Sequence, residues 1–160
     1  MFEEFKFEEK YPGLSKDETQ KISTFLSEEI KDGEIDNGSV LDYKQWNLPL
    51  LKIPEQYLKL LSYSNGGLIV NGNREFGFFG KNELREYYLN YEFPHYMPGV
   101  LPIALNGGGV FYAYDLRKTL ENPQIIAVGS GALDWKFAYS LGNDLLEMLS
   151  KTTNIEDEEP

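Results

Sequence analysis

The chain has no cysteine and a single histidine among its 160 residues. The first absence excludes disulfides, thiolate zinc sites and cysteine nucleophiles together. The second leaves His95, in "FPHYMPG" between two prolines, as the sole imidazole for a triad or a metal. A lone histidine in such a loop reads as a surface or packing residue, and no metal or cofactor is expected. Positive charge is scarce as well: 15 Lys and Arg stand against 26 Asp and Glu, a net charge of −11. Such a surface repels phosphate backbones, which argues against direct nucleic-acid binding, and it steers a basic partner inward. No run approaches the roughly 18 apolar residues of a membrane span. "MFEEFKFEEK" alternates aromatics with acids where a signal peptide would be basic and then apolar. The expectation is a cytoplasmic protein with no membrane partner.

What is present suffices for one core: 41% of the residues are hydrophobic and 14% aromatic. There is no internal repeat and no low-complexity linker. Residues 1–152 are expected to form a single domain, and 153–160, "TNIEDEEP", an acidic flexible tail.

Ser15 with Glu18 forms a capping-box pattern ahead of Ile22, Phe25, Leu26 and Ile30, which predicts a helix over 16–31. Pro54 opens a second helix carrying Tyr57, Leu58, Leu60 and Leu61, and Asn65 or Gly66 can close it in a left-handed conformation. Asn71-Gly72 between "LIV" and "REFGFF" signals a hairpin. Asn82 is placed to cap a third helix that ends before Pro94. From Val100 onward "VLPIAL", "VFYAYDL", "IIAVGS" and "WKFAYS" read as strands, and a last helix spans 143–151. Helices at the ends and strands in the middle, joined by short links, argue α+β: a mainly antiparallel twisted sheet packed by N-terminal, middle and C-terminal helices.

The glycines of "LNGGGVFYAYDL" run into a strand-like segment, with no helix N-terminus and no Lys-Ser or Lys-Thr after them. They therefore fail as a phosphate cradle and suit a turn instead. Asp32, Glu34 and Asp36 echo a calcium loop, but its glycine comes one place late and Tyr43 replaces the bidentate acid. Asp115 and Asp134 each sit where a strand end could meet a cleft, yet nothing in their spacing sets one carboxylate against another. The remaining distinctive feature is aromatic: 11 Tyr, 10 Phe and 2 Trp. Tyrosines in "REYYLNYEFPHYMPG" suit an interface, where they bury area at little rotamer cost, and equally suit the margin of a core. The partner-binding patch expected from these considerations comprises Glu86, Tyr87, Tyr88, Tyr91, Glu92 and Tyr96 with Asp134 and Trp135.

The order of motifs resembles the SUKH superfamily, in its cell-wall-assembly-regulator (SMI/KNR-type) branch. The residues that carry the resemblance are Pro54, Tyr57, Leu61, Asn65, Gly66 and Gly67, then Pro102, Gly107, Gly108, Gly109, Tyr112 and Asp115. It covers about residues 15–151, and "LGND" before the last helix departs from the Ser-Phe that members often carry. The resemblance implies a non-catalytic α+β binding protein in which these motif residues are structural. It also implies an immunity protein that neutralises a toxin, often a nuclease, by stoichiometric binding. A regulatory or scaffold adaptor for an endogenous protein, and a small-molecule-binding domain or hydrolase near Asp115 and Asp134, are the other readings.

Overall fold

The computed structural model describes residues 1–160. Its elements in chain order are β1 (Phe7–Lys10), α1 (Lys16–Gln20), α2 (Ile22–Ser27), α3 (Glu55–Tyr63), β2 (Gly67–Asn71), β3 (Arg74–Phe78), α4 (Lys81–Asn90), α5 (Phe93–Tyr96), β4 (Val100–Leu105), β5 (Val110–Asp115), β6 (Ile125–Gly129), β7 (Tyr139–Gly142) and α6 (Leu145–Ser150). The strands form one seven-stranded sheet in sequential order, every neighbouring pair antiparallel. The α+β class expected from the sequence is what is found.

The sheet's order follows from its composition. The central strands "VLPIAL", "VFYAYD" and "IIAVG" are buried along nearly their whole length, so both faces are covered and the polar alternation of a one-sided sheet is missing. The edges are different. β1 is charged, exposed and bulged between Phe7 and Glu9, and β7 is only four residues long, both features that discourage edge-to-edge pairing. Pro102, which has no amide hydrogen, lies on β4 beyond the short pairing with β3, beside a register shift toward β5.

Several local expectations are corrected. The Ser15–Glu18 capping box forms, with bonds of 3.1 and 3.2 Å, but the helix behind it breaks at Lys21 and stops at Ser27. The cause is Arg85, 4% exposed, whose guanidinium donates to the carbonyls of Phe25, Glu28 and Glu29 and so holds the chain where the helix would continue. Pro54 precedes α3 rather than opening it, and α3 ends in extended backbone at Ser64. Asn65 does not close α3. Its Oδ1 accepts from Lys81 N (2.8 Å) at the start of α4, while Gly66 (φ 87°) turns the chain. Asn82 therefore lies inside α4, whose cap is Gly80. The hairpin between β2 and β3 turns on Gly72 and Asn73, with positive φ at Gly72 as a II′-type turn needs. His95 belongs to α5, where Pro94 is tolerated in the first turn. "WKFAYS" becomes strand only at Tyr139.

The C-terminal segment is corrected most. Residues 153–160, expected as a frayed tail, fold back in a 3-10 turn, Ile155–Glu158. Ile155 is fully buried, and its carbonyl accepts from Tyr139 OH (2.8 Å). Glu156 accepts from Asn106 Nδ2 (2.7 Å), and Glu158 pairs with the buried Arg74. Arg74 also donates to Met148 O (2.7 Å) and Thr153 O (2.8 Å), closing α6 much as Arg85 closes α2. One buried apolar side chain and one buried cation thus decide the path of a stretch that composition alone marks as solvated.

Candidate functional site

The groove begins with the backbone of Glu92. It is the only non-glycine residue with positive φ (64°), a conformation that costs an L-residue roughly 1–2 kcal/mol. Its carboxylate holds it there by accepting from Ser39 Oγ (2.8 Å), and its carbonyl takes the amides of His95 and Tyr96. The kink turns the chain from α4 into α5 and puts Tyr91 and Tyr96 on one rim. The loop before α3 is strapped to the same corner, with Asp36 N donating to Asn90 Oδ1 (3.0 Å). Across from it, the turn after β6 is fixed by Ser130 N to Gly109 O (2.7 Å), and Asp134 accepts from Lys136 N (2.9 Å).

Between these walls lies an open groove of about 660 Å³ lined by residues including Tyr91, Glu92, Tyr96, Asp134 and Phe137. Tyr91, Tyr96 and Phe137 are 39%, 51% and 51% exposed, three of the eight large apolar side chains that the surface shows. A cluster of that kind marks an interaction surface more strongly than the same residues scattered. The lining contains two carboxylates and no lysine or arginine. The neighbouring cation, Lys136, lies 5.5 Å over the outer Phe137 ring.

Of the eight residues expected in a binding patch, the structure brings four into this groove: Tyr91, Glu92, Tyr96 and Asp134. Glu86 is exposed on α4 but outside it. Tyr87 is half-buried and stacks on Phe79 at 4.1 Å and on Tyr91 at 5.7 Å, supporting the rim from behind. Tyr88 is corrected: it is 1% exposed, a core residue, because α4 turns that face onto β4. Its hydroxyl has no partner, and burial pushes its pKa up to about 12. Trp135 faces Arg117, whose guanidinium carbon is 3.6 Å from the ring centroid. Arg117 in turn holds Asp115 by two bonds of 3.0 Å and keeps its carboxyl below the usual range. Asp115 therefore serves as an anchor for Arg117 and lies outside the groove that Asp134 lines. Sequence reasoning missed Phe137 and the Ser130–Leu133 wall, which read as strand and linker until the fold curls them toward α5.

No group of three or more His, Cys, Asp or Glu side chains is placed to hold a metal ion. No helix is long and apolar enough to cross a membrane. The motif order carried by the sheet and α3 is matched by a family model over residues 44–151, about two thirds of the chain. The chain belongs to the SMI1 / KNR4 family (SUKH-1). No curated protein matches it. The match leaves β1, α1, α2 and the loop after them as far as residue 43 outside the SUKH-1 region, together with residues 152–160.

Within the SUKH-1 region the motif residues hold the frame. Tyr57 OH, fully buried, donates between Phe79 O (2.6 Å) and Ile103 O (3.1 Å), tying α3 to β4 and to the residue that follows β3. Tyr112 OH reaches Glu75 O (2.6 Å). The glycines after β4 make the turn foreseen for them: Gly107 takes φ 85°, and Asn106 Oδ1 accepts from Gly108 N and Val110 N. Asp144 in "LGND", where the family resemblance lapses, caps α6 through Glu147 N (3.1 Å), so the departure keeps the function of a helix start.

Proposed function

We propose that this chain is a non-catalytic binding module that neutralises a basic toxin by stoichiometric occlusion, acting as an immunity protein. The observation that carries the reading is the groove. Its exposed aromatics are of the kind that anchor protein interfaces, and its only charges are carboxylates on a chain of net charge −11. A basic enzyme would be steered toward such a surface, and its cationic substrate-binding side chains would find Glu92 and Asp134 beside aromatic faces suited to cation–π contact. Membership of the SMI1 / KNR4 family supports a role in protein–protein interaction.

The test is affinity capture at low salt on the immobilised chain, in parallel with a Tyr96→Ala/Asp134→Asn variant. The expected result is one basic protein, eluted by moderate salt, absent from the variant, and one-to-one with the chain by light scattering. The activity of that protein should fall when the wild-type chain is added. A partner retained equally by the variant, or one whose activity the chain leaves untouched, would favour the scaffold reading.

A further inference from the structure

A second hollow of about 290 Å³ lies along α4 from the groove. It lies where β1 to β4 meet α4, and its charged lining residues are Glu9, Glu75 and Glu83, with no lysine or arginine among them. Its floor is low because the sheet carries Gly67 and Gly77 there, and Tyr11 and Tyr87 form its sides. Tyr11 titrates above its ordinary value chiefly because of the Glu9 charge, with Glu83 adding to it; burial and then Glu83 do the same to Tyr87. The Tyr11 shift is what a local negative field produces, whereas burial leads at Tyr87 and the Glu83 charge only adds to it.

The two hollows lie along the same helix. Glu83 and Tyr87 line the second, Tyr91 lines the first, and the three stand four apart along one stripe of α4 and its C-cap, Tyr91. Tyr87 and Tyr91 stack at 5.7 Å with a 15° interplanar angle, so the aromatic surface runs unbroken from one hollow to the other. Five carboxylates line the combined trough and no lysine or arginine does, with Lys136 standing beside it over the Phe137 ring.

We infer that the second hollow is a separate subsite of the same interface, and that the trough takes one segment of a basic protein through two cationic side chains. This deepens the reading given under Proposed function and rests on it. Glu83 and Tyr91 are eight positions apart along α4 and its C-cap, about 12 Å at 1.5 Å per residue. An extended chain rises about 3.3 Å per residue, so side chains at positions i and i+4 span about 13 Å. The matching segment is extended, with arginine or lysine four residues apart. Each cation meets carboxylates at its end, and the chain between lies across the stacked tyrosines.

The test uses fluorescein-labelled peptides of seven residues, one with a single arginine and one with two arginines at i and i+4. Binding is measured by polarisation at low salt against the wild-type chain, Glu75→Gln/Glu83→Gln and Glu92→Gln/Asp134→Asn. Glu83→Gln keeps an acceptor for Gly80 N, and circular dichroism checks the fold of each variant. The two-arginine peptide should bind the wild type about tenfold or more tighter than the one-arginine peptide, because the second contact is intramolecular. That gain should vanish in Glu75→Gln/Glu83→Gln while single-arginine binding persists. A gain that survives in this variant overturns the second subsite and leaves the groove intact. Single-arginine binding unchanged in Glu92→Gln/Asp134→Asn overturns the groove reading itself.

Discussion

Replacing Ile155 by alanine tests whether the acidic C-terminal segment is part of the folded domain. The side chain is fully buried beneath a 3-10 turn whose neighbours Glu156 and Glu158 are held by Asn106 and Arg74. Ile→Ala removes three carbons. At about 0.8 kcal/mol per buried methylene that is roughly 2.4 kcal/mol before any cavity term, and substitutions of this kind cost about 2–5 kcal/mol in closed cores. Because the segment lies near a chain end and can peel away, the cost is limited to its docking free energy, and about 2–3 kcal/mol is expected. For a chain of this size each kcal/mol lowers Tm by about 2–4 °C, so the midpoint should fall by about 4–12 °C. Urea denaturation gives the free energy directly, and Glu159→Ala, on an exposed neighbour, should stay within about 0.5 kcal/mol of wild type. A loss below about 0.5 kcal/mol for Ile155→Ala would refute the docked arrangement and restore the solvated tail that the composition suggests.

Two buried tyrosines should respond oppositely to loss of the hydroxyl. Tyr57→Phe strands the buried Phe79 carbonyl, while Ile103 O keeps its bond from Phe79 N, and should cost about 1–3 kcal/mol, whereas Tyr88→Phe removes an unpartnered hydroxyl and should be neutral or stabilising by up to about 1 kcal/mol, both read by urea midpoints. Gly107→Ala places a methyl group at φ 85° and against the Glu75 carboxylate, and should cost about 1–2 kcal/mol or more in the same assay. Glu34 is held below its ordinary value of 4.5, first by hydrogen bonds from Arg85. A lowered folded pKa means stability that is complete above that ordinary value and is lost as pH falls through the folded one. Urea midpoints between pH 3 and 7 should therefore drop less steeply below pH 5 in Glu34→Gln than in wild type.

The parts of the fold legible in the sequence were those governed by local chemistry. The Ser15 capping box, the turn at Asn106–Gly109 and the apolar central strands all arise within a few residues of the signal that announces them. The misread parts were decided at long range. Arg85 shortens a helix by bonds to carbonyls 56 to 60 residues away, and Arg74 reaches 79 residues to hold the terminal segment. Neither buried arginine is distinguishable by sequence from a surface cation. The site shows the same division. Tyr91, Glu92 and Tyr96 lie on one short stretch and were visible together, while Phe137 reaches them only because the turn after β6 is pinned to Gly109. Tyr88 was misassigned because consecutive tyrosines on a helix point about 100° apart, and which one faces the sheet depends on the packing of α4 against β4.

The most direct test of the central claim is the salt dependence of the dissociation constant for the captured partner, measured for the wild type and for Tyr96→Ala/Asp134→Asn. Binding through the acidic, aromatic groove predicts that the wild-type constant rises steeply with salt. It also predicts that the variant binds at least about tenfold more weakly at low salt and loses part of the salt slope. Equal affinity and equal slope in the two proteins would contradict the account and move the interface away from the groove.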